Sequence, residues 1–167
     1  MKSLLICRHA KSDWSNLYLP DYDRELNERG LRDAPTMGQR LVQRGFKPDL
    51  IVASSAKRAA QTALLIAHEL NYNLEQIVWK DTLYHAPPKT IEETIFSTSS
   101  HLNSLMIVCH NPGITEFINQ QCGFLTDNVP TCGMAAFNYN TLDWTSYPLA
   151  QCELNFYDFP KNGFAST

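Results

Sequence analysis

Arg8-His9 ends one apolar run of this 167-residue chain, His110 ends another, and Arg58 follows a third by a few residues. These are the side chains best suited to chemistry. Arginine presents forked donors that match the oxygens of a phosphoryl group. Histidine offers a neutral ring nitrogen near pH 7, able to attack or to pass a proton. Taken singly, an Arg-His pair is a common dipeptide and Arg58 reads equally well as a solvated helix charge. Taken together they suggest an anion site with a nucleophile in it.

The elements that must position them are read from short apolar runs. Leu4-Leu5-Ile6-Cys7, Asp49-Leu50-Ile51-Val52-Ala53, Ile77-Val78-Trp79 and Leu105-Met106-Ile107-Val108-Cys109 read as buried strands of a parallel sheet. In open α/β sheets ligands sit beyond the carboxyl ends of the strands. Three such ends would carry Arg8-His9, Arg58 and His110. Residues 10–26 read as an ordered loop. Asn27 is a good N-cap for a helix to about residue 44, with Leu31, Met37, Leu41 and Val42 inward and Gly45 as its stop. Pro35 should kink that helix or begin a second one. Ser55 can cap a helix to about residue 70 that packs through Ala59, Ala63, Leu64 and Ala67. Arg58 would lie in its first turn, among backbone N–H groups that favour an anion. A third helix is expected over about 88–97 with Ile91, Ile95 and Phe96 inward, and a fourth from Gly113 to about residue 122. Strands near 131–138 and 152–159, joined through a hairpin-like connection over 142–147, would complete a single domain. Residues 160–167 read as a tail.

Composition excludes several classes. A net charge of −3 without a basic stripe does not suit nucleic-acid binding. No apolar run approaches a membrane span, and the first run is too short for a signal-peptide core, so the cytoplasm is the expected compartment. The five cysteines (Cys7, Cys109, Cys122, Cys132 and Cys152) have no C-x-x-C spacing. They read as small buried hydrophobes rather than as a disulfide framework or zinc knuckle. Cys7 and Cys109 each precede a histidine of interest, which leaves a redox effect open beside a plain packing role. His68 and His101 read as surface residues with no metal-ligand spacing.

Four pieces carry a family resemblance: Arg8-His9-Ala10-Lys11-Ser12, Asp23-Arg24 with Leu26-Asn27-Glu28-Arg29-Gly30, Ser54-Ser55-Ala56-Lys57-Arg58 with Gln61-Thr62-Ala63, and His110-Asn111-Pro112. In this set and order the chain resembles the histidine phosphatase superfamily, in its SixA-type phosphohistidine phosphatase branch. The resemblance implies a phosphoglycerate mutase-like fold, a three-layer α/β/α sandwich around a mostly parallel sheet. It implies that His9 is the nucleophile that becomes phosphorylated, that Arg8 and Arg58 clamp the phosphoryl oxygens, and that His110 donates to the phosphoryl group. Lys11 and Ser12 would line the substrate site, and Asn111 would position the His110 loop or cap a helix. No metal or other cofactor is implied, since the two arginines supply the fixed positive charge. The implied partner is a phosphohistidine-bearing protein, such as a histidine phosphotransfer domain or a carrier of a sugar phosphotransferase system, with inorganic phosphate as product.

The chain also departs from relatives that act on phosphate esters. Many of those carry an acidic proton donor after the third strand, where this chain has Leu83-Tyr84-His85-Ala86 and no carboxylate before Glu92. An alkoxide needs an acid to leave; an imidazole leaves more easily. The expectation is therefore a P–N substrate, with His85 as an alternative donor or a surface residue, and Asp13 and Glu92 as weaker candidates. No long insertion roofs the pocket, which suits a phosphohistidine displayed on another protein. The loop from Trp14 to Arg24, with Tyr18 and Tyr22, would form a docking rim or simply pack. A phosphatase of small esters or other phosphoramidates, and a non-catalytic phospho-ligand module, remain as alternative readings.

Overall fold

A computed structural model describes residues 1–163. Strands β1 (Lys2–Arg8), β2 (Leu50–Ser54), β3 (Val78–Lys80), β4 (Ser104–Cys109), β5 (Met134–Tyr139) and β6 (Cys152–Asp158) form one sheet in the order β3-β2-β4-β1-β5-β6. The first four are mutually parallel, whereas β5 runs antiparallel to β1 and to β6. Helices α1 (Glu28–Gln43) and α2 (Lys57–Glu69) cover one face; α3 (Pro88–Phe96) and α4 (Gly113–Cys122) cover the other. This is the three-layer sandwich around a mostly parallel sheet that the family resemblance implies.

The pleat of β1 shows how the sequence builds two cores at once. Leu4 and Ile6 join Ile91, Ile95, Ile114 and Phe117 on the α3–α4 side. Leu5 and Cys7 join Met37, Leu41, Ala63 and Ile66 on the α1–α2 side. Successive side chains of a strand point to opposite faces, so a strand buried on both sides must be apolar throughout. Cys7 and Cys109 thus belong to opposite faces of the sheet although their strands are neighbours. Burial also raises the Cys109 thiol to about 12.

Several local expectations give way to tertiary packing. The buried stripe of α1 is Gly30, Ala34, Met37, Gly38 and Leu41, while Leu31 and Val42 are 49% and 51% exposed. Small residues let α2 come close on that stripe, leaving the larger ones flanking it. The helix runs through Pro35 as one element. Ser55 does not cap α2: Ala56 holds that position, and the Ser55 hydroxyl meets Asp81 instead. Leu64 and Phe96 lie at partly exposed edges. The hairpin-like connection expected between β5 and β6 does join them antiparallel, wound as a 3-10 turn at Trp144–Leu149. Of the expected tail, Pro160 is anchored, since its carbonyl accepts from Arg40 Nη2 at 3.1 Å. Residues 164–167 lie outside the described residues.

Asn27 caps α1 as expected, its side-chain oxygen accepting from the Gly30 amide at 3.0 Å. Gly30 is required at that point for another reason. A Cβ there would collide with the Lys11 carbonyl, so glycine lets the first turn of α1 lie against the loop that follows His9.

Candidate active site

His9 leaves the end of β1 with its backbone fixed on both sides. Its amide donates to the Cys109 carbonyl at 3.1 Å, and its own carbonyl accepts from the Cys132 amide at 3.0 Å. The residue is 7% exposed. Nδ1 lies 2.7 Å from the Ala10 carbonyl, which can only accept, so the ring proton is on Nδ1. Nε2 then carries a lone pair, and Arg58 Nε donates to it at 3.3 Å. Burial, followed by the Arg58 and Arg8 charges, lowers His9 to about 3, outweighing the opposing Ala10 bond. The imidazole is neutral at physiological pH, with one nitrogen oriented and available to attack.

Thr62, one turn beyond Arg58, joins the two residues. Its hydroxyl donates to the Arg58 carbonyl at 2.7 Å and accepts from the Ala10 amide at 2.9 Å. The loop that orients His9 and the helix that carries Arg58 are thereby fixed to each other.

His110 follows β4 and is fully enclosed. Its ring stands 5.0 Å from that of His9, centroid to centroid. Nε2 is 2.8 Å from the Ser54 hydroxyl at the end of β2, and Nδ1 is buried without a hydrogen-bond partner. The Ser54 oxygen already accepts from the Ala56 amide. When its proton is given to Nε2, the proton of His110 resides on Nδ1 and makes that atom a donor. Burial, then His9 and Arg58, lower His110 to about 2, so this ring too is neutral.

Arg8 donates from Nη1 to the Val129 carbonyl at 2.7 Å, and its Nε is buried without a partner. That carbonyl is held in turn by Asn111, whose amide donates to it at 3.0 Å and to Asn128 Oδ1 at 2.8 Å. Asn111 Oδ1 accepts from Thr115 at 2.9 Å. The Asn111 side chain is therefore fully engaged in fixing the loop before β5. It does not cap α4, whose N-cap is Pro112.

The expected residues Arg8, His9, Lys11, Ser12, Arg58, His85, His110 and Asn111 line one cleft of about 380 Å³. Asp13 and Glu92 do not line it. Trp14, Asp21 and Thr131, none of them singled out as site residues from the sequence, complete it. Asp21, from the loop before α1, accepts at Oδ2 from Arg58 Nη2 at 2.9 Å, from the Tyr84 hydroxyl at 2.6 Å and from His85 Nε2 at 3.2 Å. The pocket thus does contain a carboxylate, contrary to the expectation drawn from the segment after β3. Burial acts to raise Asp21, but the Tyr84 bond and Arg58 prevail and hold it at about 2. It is an anion at neutral pH. His85 adopts a left-handed backbone, φ 50°, which a non-glycine residue holds at some cost. Its ring is tilted against that of Tyr84, with 4.1 Å between centroids. In the rim loop, Tyr18 is 98% exposed, while Tyr22 packs edge-on against Tyr84 at 5.1 Å.

Residues 4–82 match the family described as histidine phosphatase superfamily (branch 1). In three dimensions the chain is similar to the Agrobacterium tumefaciens protein assigned as the phosphohistidine phosphatase SixA. The TM-score is 0.82 at 27% identity, covering 95% of this chain and 98% of that one. The family match and this likeness of fold support membership in the histidine phosphatase superfamily. A Mycobacterium leprae relative whose function is uncharacterised is 29% identical, covering 92% of this chain and 99% of its own length. A phosphoglycerate mutase of Schizosaccharomyces pombe is 38% identical over 77 residues, and this chain spans 36% of its length. Membership in the histidine phosphatase superfamily supports phosphatase activity. Among the described residues no group of three or more His, Cys, Asp or Glu is arranged to hold a metal ion. No helix among them is long and apolar enough to cross a membrane.

Proposed function

We propose that this protein removes the phosphoryl group from phosphohistidine on another protein, through a phospho-His9 intermediate. The observation that carries the reading is the His9 ring: neutral, with its proton on Nδ1 and its Nε2 lone pair beside Arg58. The Nε2 lone pair attacks phosphorus as the P–N bond to the substrate imidazole breaks. Arg58 exchanges its bond to Nε2 for one to a phosphoryl oxygen, joined by Arg8 and by His110 Nδ1. Donors fixed in advance where charge develops lower the barrier without reorganising. Water then attacks phospho-His9, the P–Nε2 bond breaks, inorganic phosphate departs and neutral His9 returns.

The state of Asp21 supports a P–N substrate. A carboxyl held at about 2 is ionised and has no proton to give an alkoxide. A phosphohistidine needs none from the protein, because its second ring nitrogen takes a proton from water and the imidazole leaves neutral. A second reading rests on the shared contact of Asp21 with Arg58. A phosphoryl dianion on Arg58 would raise the carboxyl and turn it into an acid, which would favour small esters.

The deciding experiment compares phosphate release from a phosphohistidine protein and from an aryl phosphate, without added metal, with His9→Ala as control. Release from the protein substrate alone, abolished in the variant, is the expected result. Faster turnover of the ester would assign the second reading, and turnover of neither would leave a phospho-ligand binding module.

A further inference from the structure

Arg8, Lys11 and Thr131 line the phosphoryl pocket and also one side of a second cleft, of about 410 Å³. Beyond them this cleft is bounded by Arg29 and Lys161, with Pro130, Phe159 and Pro160 as an apolar floor. Its single acidic residue, Asp33, lies 3.5 Å from Arg32. A chain of net charge −3 has gathered four cations and one carboxylate here. Lys11, Arg29 and Lys161 have no ion-pair partner among the described residues.

The position of Arg29 adds a second observation. It occupies the first turn of α1, at the positive end of the helix dipole, where a cation disfavours the helix. Nothing in the helix itself accounts for a cation there, whereas an anion in the cleft would. Another cleft, bounded by Asp13, Asp23 and Glu25 with Lys57, carries the opposite charge, and its Lys57 is already paired to Glu25 at 3.1 Å. The surface around the site is therefore electrically polarised.

We propose that the Arg29–Lys161 cleft binds carboxylate side chains flanking the phosphohistidine of the protein substrate. This rests on the phosphohistidine reading above and extends it to the substrate's sequence. A bare phosphate would make no use of the floor of Pro130, Phe159 and Pro160. A peptide or helix surface would lay its methylenes there while its Asp and Glu side chains reach the cations. The acidic cleft repels the same flank, so the charge pattern sets the direction in which the partner docks.

The test uses two synthetic phosphohistidine peptides, one flanked by glutamates and one by lysines, with phosphoramidate as a substrate that fills the phosphoryl pocket alone. The variant is Arg29→Glu/Lys161→Glu in the full chain. Arg29→Glu places a favourable charge at the start of α1, so lost activity would not be mistaken for lost fold. The wild type should prefer the glutamate peptide in kcat/KM by roughly three- to tenfold, as exposed charge pairs give. The variant should reverse that preference and hydrolyse phosphoramidate as before. Equal use of both peptides by the wild type, or an unchanged preference in the variant, would overturn the proposal. A further arm does not depend on the phosphohistidine reading: an unphosphorylated glutamate peptide should inhibit phosphoramidate or aryl phosphate turnover in the wild type and not in the variant. If neither phosphohistidine peptide is hydrolysed yet this inhibition is seen, the cleft stands and the substrate reading falls; if the inhibition is absent, the cleft falls.

Discussion

Arg58 divides its guanidinium between His9 and Asp21: Nε donates to His9 Nε2 at 3.3 Å, and Nη2 donates to Asp21 Oδ2 at 2.9 Å. The side chain that a phosphoryl group would use is thus already satisfied by a nucleophile on one edge and a carboxylate on the other. A phosphoryl group bound here exchanges the bond to His9 Nε2 and comes to lie beside a carboxylate that shares the same guanidinium.

Asp21→Asn should consequently tighten competitive inhibition by inorganic phosphate. The substitution removes a negative charge facing the anion and keeps a side-chain oxygen for Arg58. Removal of one such like charge in a partly exposed site is worth about 1 kcal/mol, or roughly fivefold in Ki. Inhibition constants from a steady-state assay decide it. A weaker inhibition would mean that the carboxylate chiefly holds Arg58 in place.

Ser54→Ala should lower kcat on the order of tenfold or more while leaving KM close to its starting value. Without the hydroxyl, nothing fixes which nitrogen of His110 bears the proton, and a catalytic imidazole in the wrong tautomer is a poor partner. Ser54→Thr keeps the hydroxyl and should restore most of the rate. An equal loss in both variants would point to packing instead.

Thr62→Val preserves shape but strips the Ala10 amide of its acceptor. A buried donor left unpaired costs about 1–3 kcal/mol. Urea unfolding should show that loss at unchanged m-value, and Thr62→Ser should recover it. A variant as stable as the wild type would mean that the Ala10 amide finds another partner.

Stability should fall as the solution is acidified below pH 6.5. His9 and His110 sit at about 3 and 2 in the folded protein, below the value of about 6.5 that they regain on unfolding. The unfolded chain therefore binds protons first. The contribution is complete above pH 6.5 and is lost as pH drops toward 3, at up to about 1.4 kcal/mol per pH unit for each histidine. Asp21 enters only below its ordinary carboxylate value. Unfolding free energies between pH 7 and 5 should decline more steeply in the wild type than in His9→Gln/His110→Gln. Parallel slopes would refute the assignment.

What could be read from the sequence was whatever depended on neighbours along the chain. Four apolar residues ending in Arg8-His9 announce a buried strand and what it delivers, and Asn27 announces a helix start. What escaped depended on distant partners. Asp21 is contacted by Arg58 from a helix and by Tyr84 and His85 from one other loop, and its own loop has no periodicity to say where it points. Ser54 reads from the sequence only as the residue that follows a strand, and only the position of β4 beside β2 makes it a partner of His110. Leu31 and Val42 were placed inward for being large, whereas close helix contact selected Ala34 and Gly38. The expected tail met Arg40, which no local pattern could foretell.

The bond from Arg8 to the Val129 carbonyl has a consequence for how the protein is made. Arg8 and His9 are synthesised well before Val129 and Cys132, the partners that fix them. A nascent chain that ends before β5 holds the nucleophile but not the frame that sets it. Neither half, expressed alone, should hydrolyse anything, whereas two fragments divided at the exposed turn around Gly123 should regain activity when they reassociate. Turnover would then serve as a reporter of completed folding.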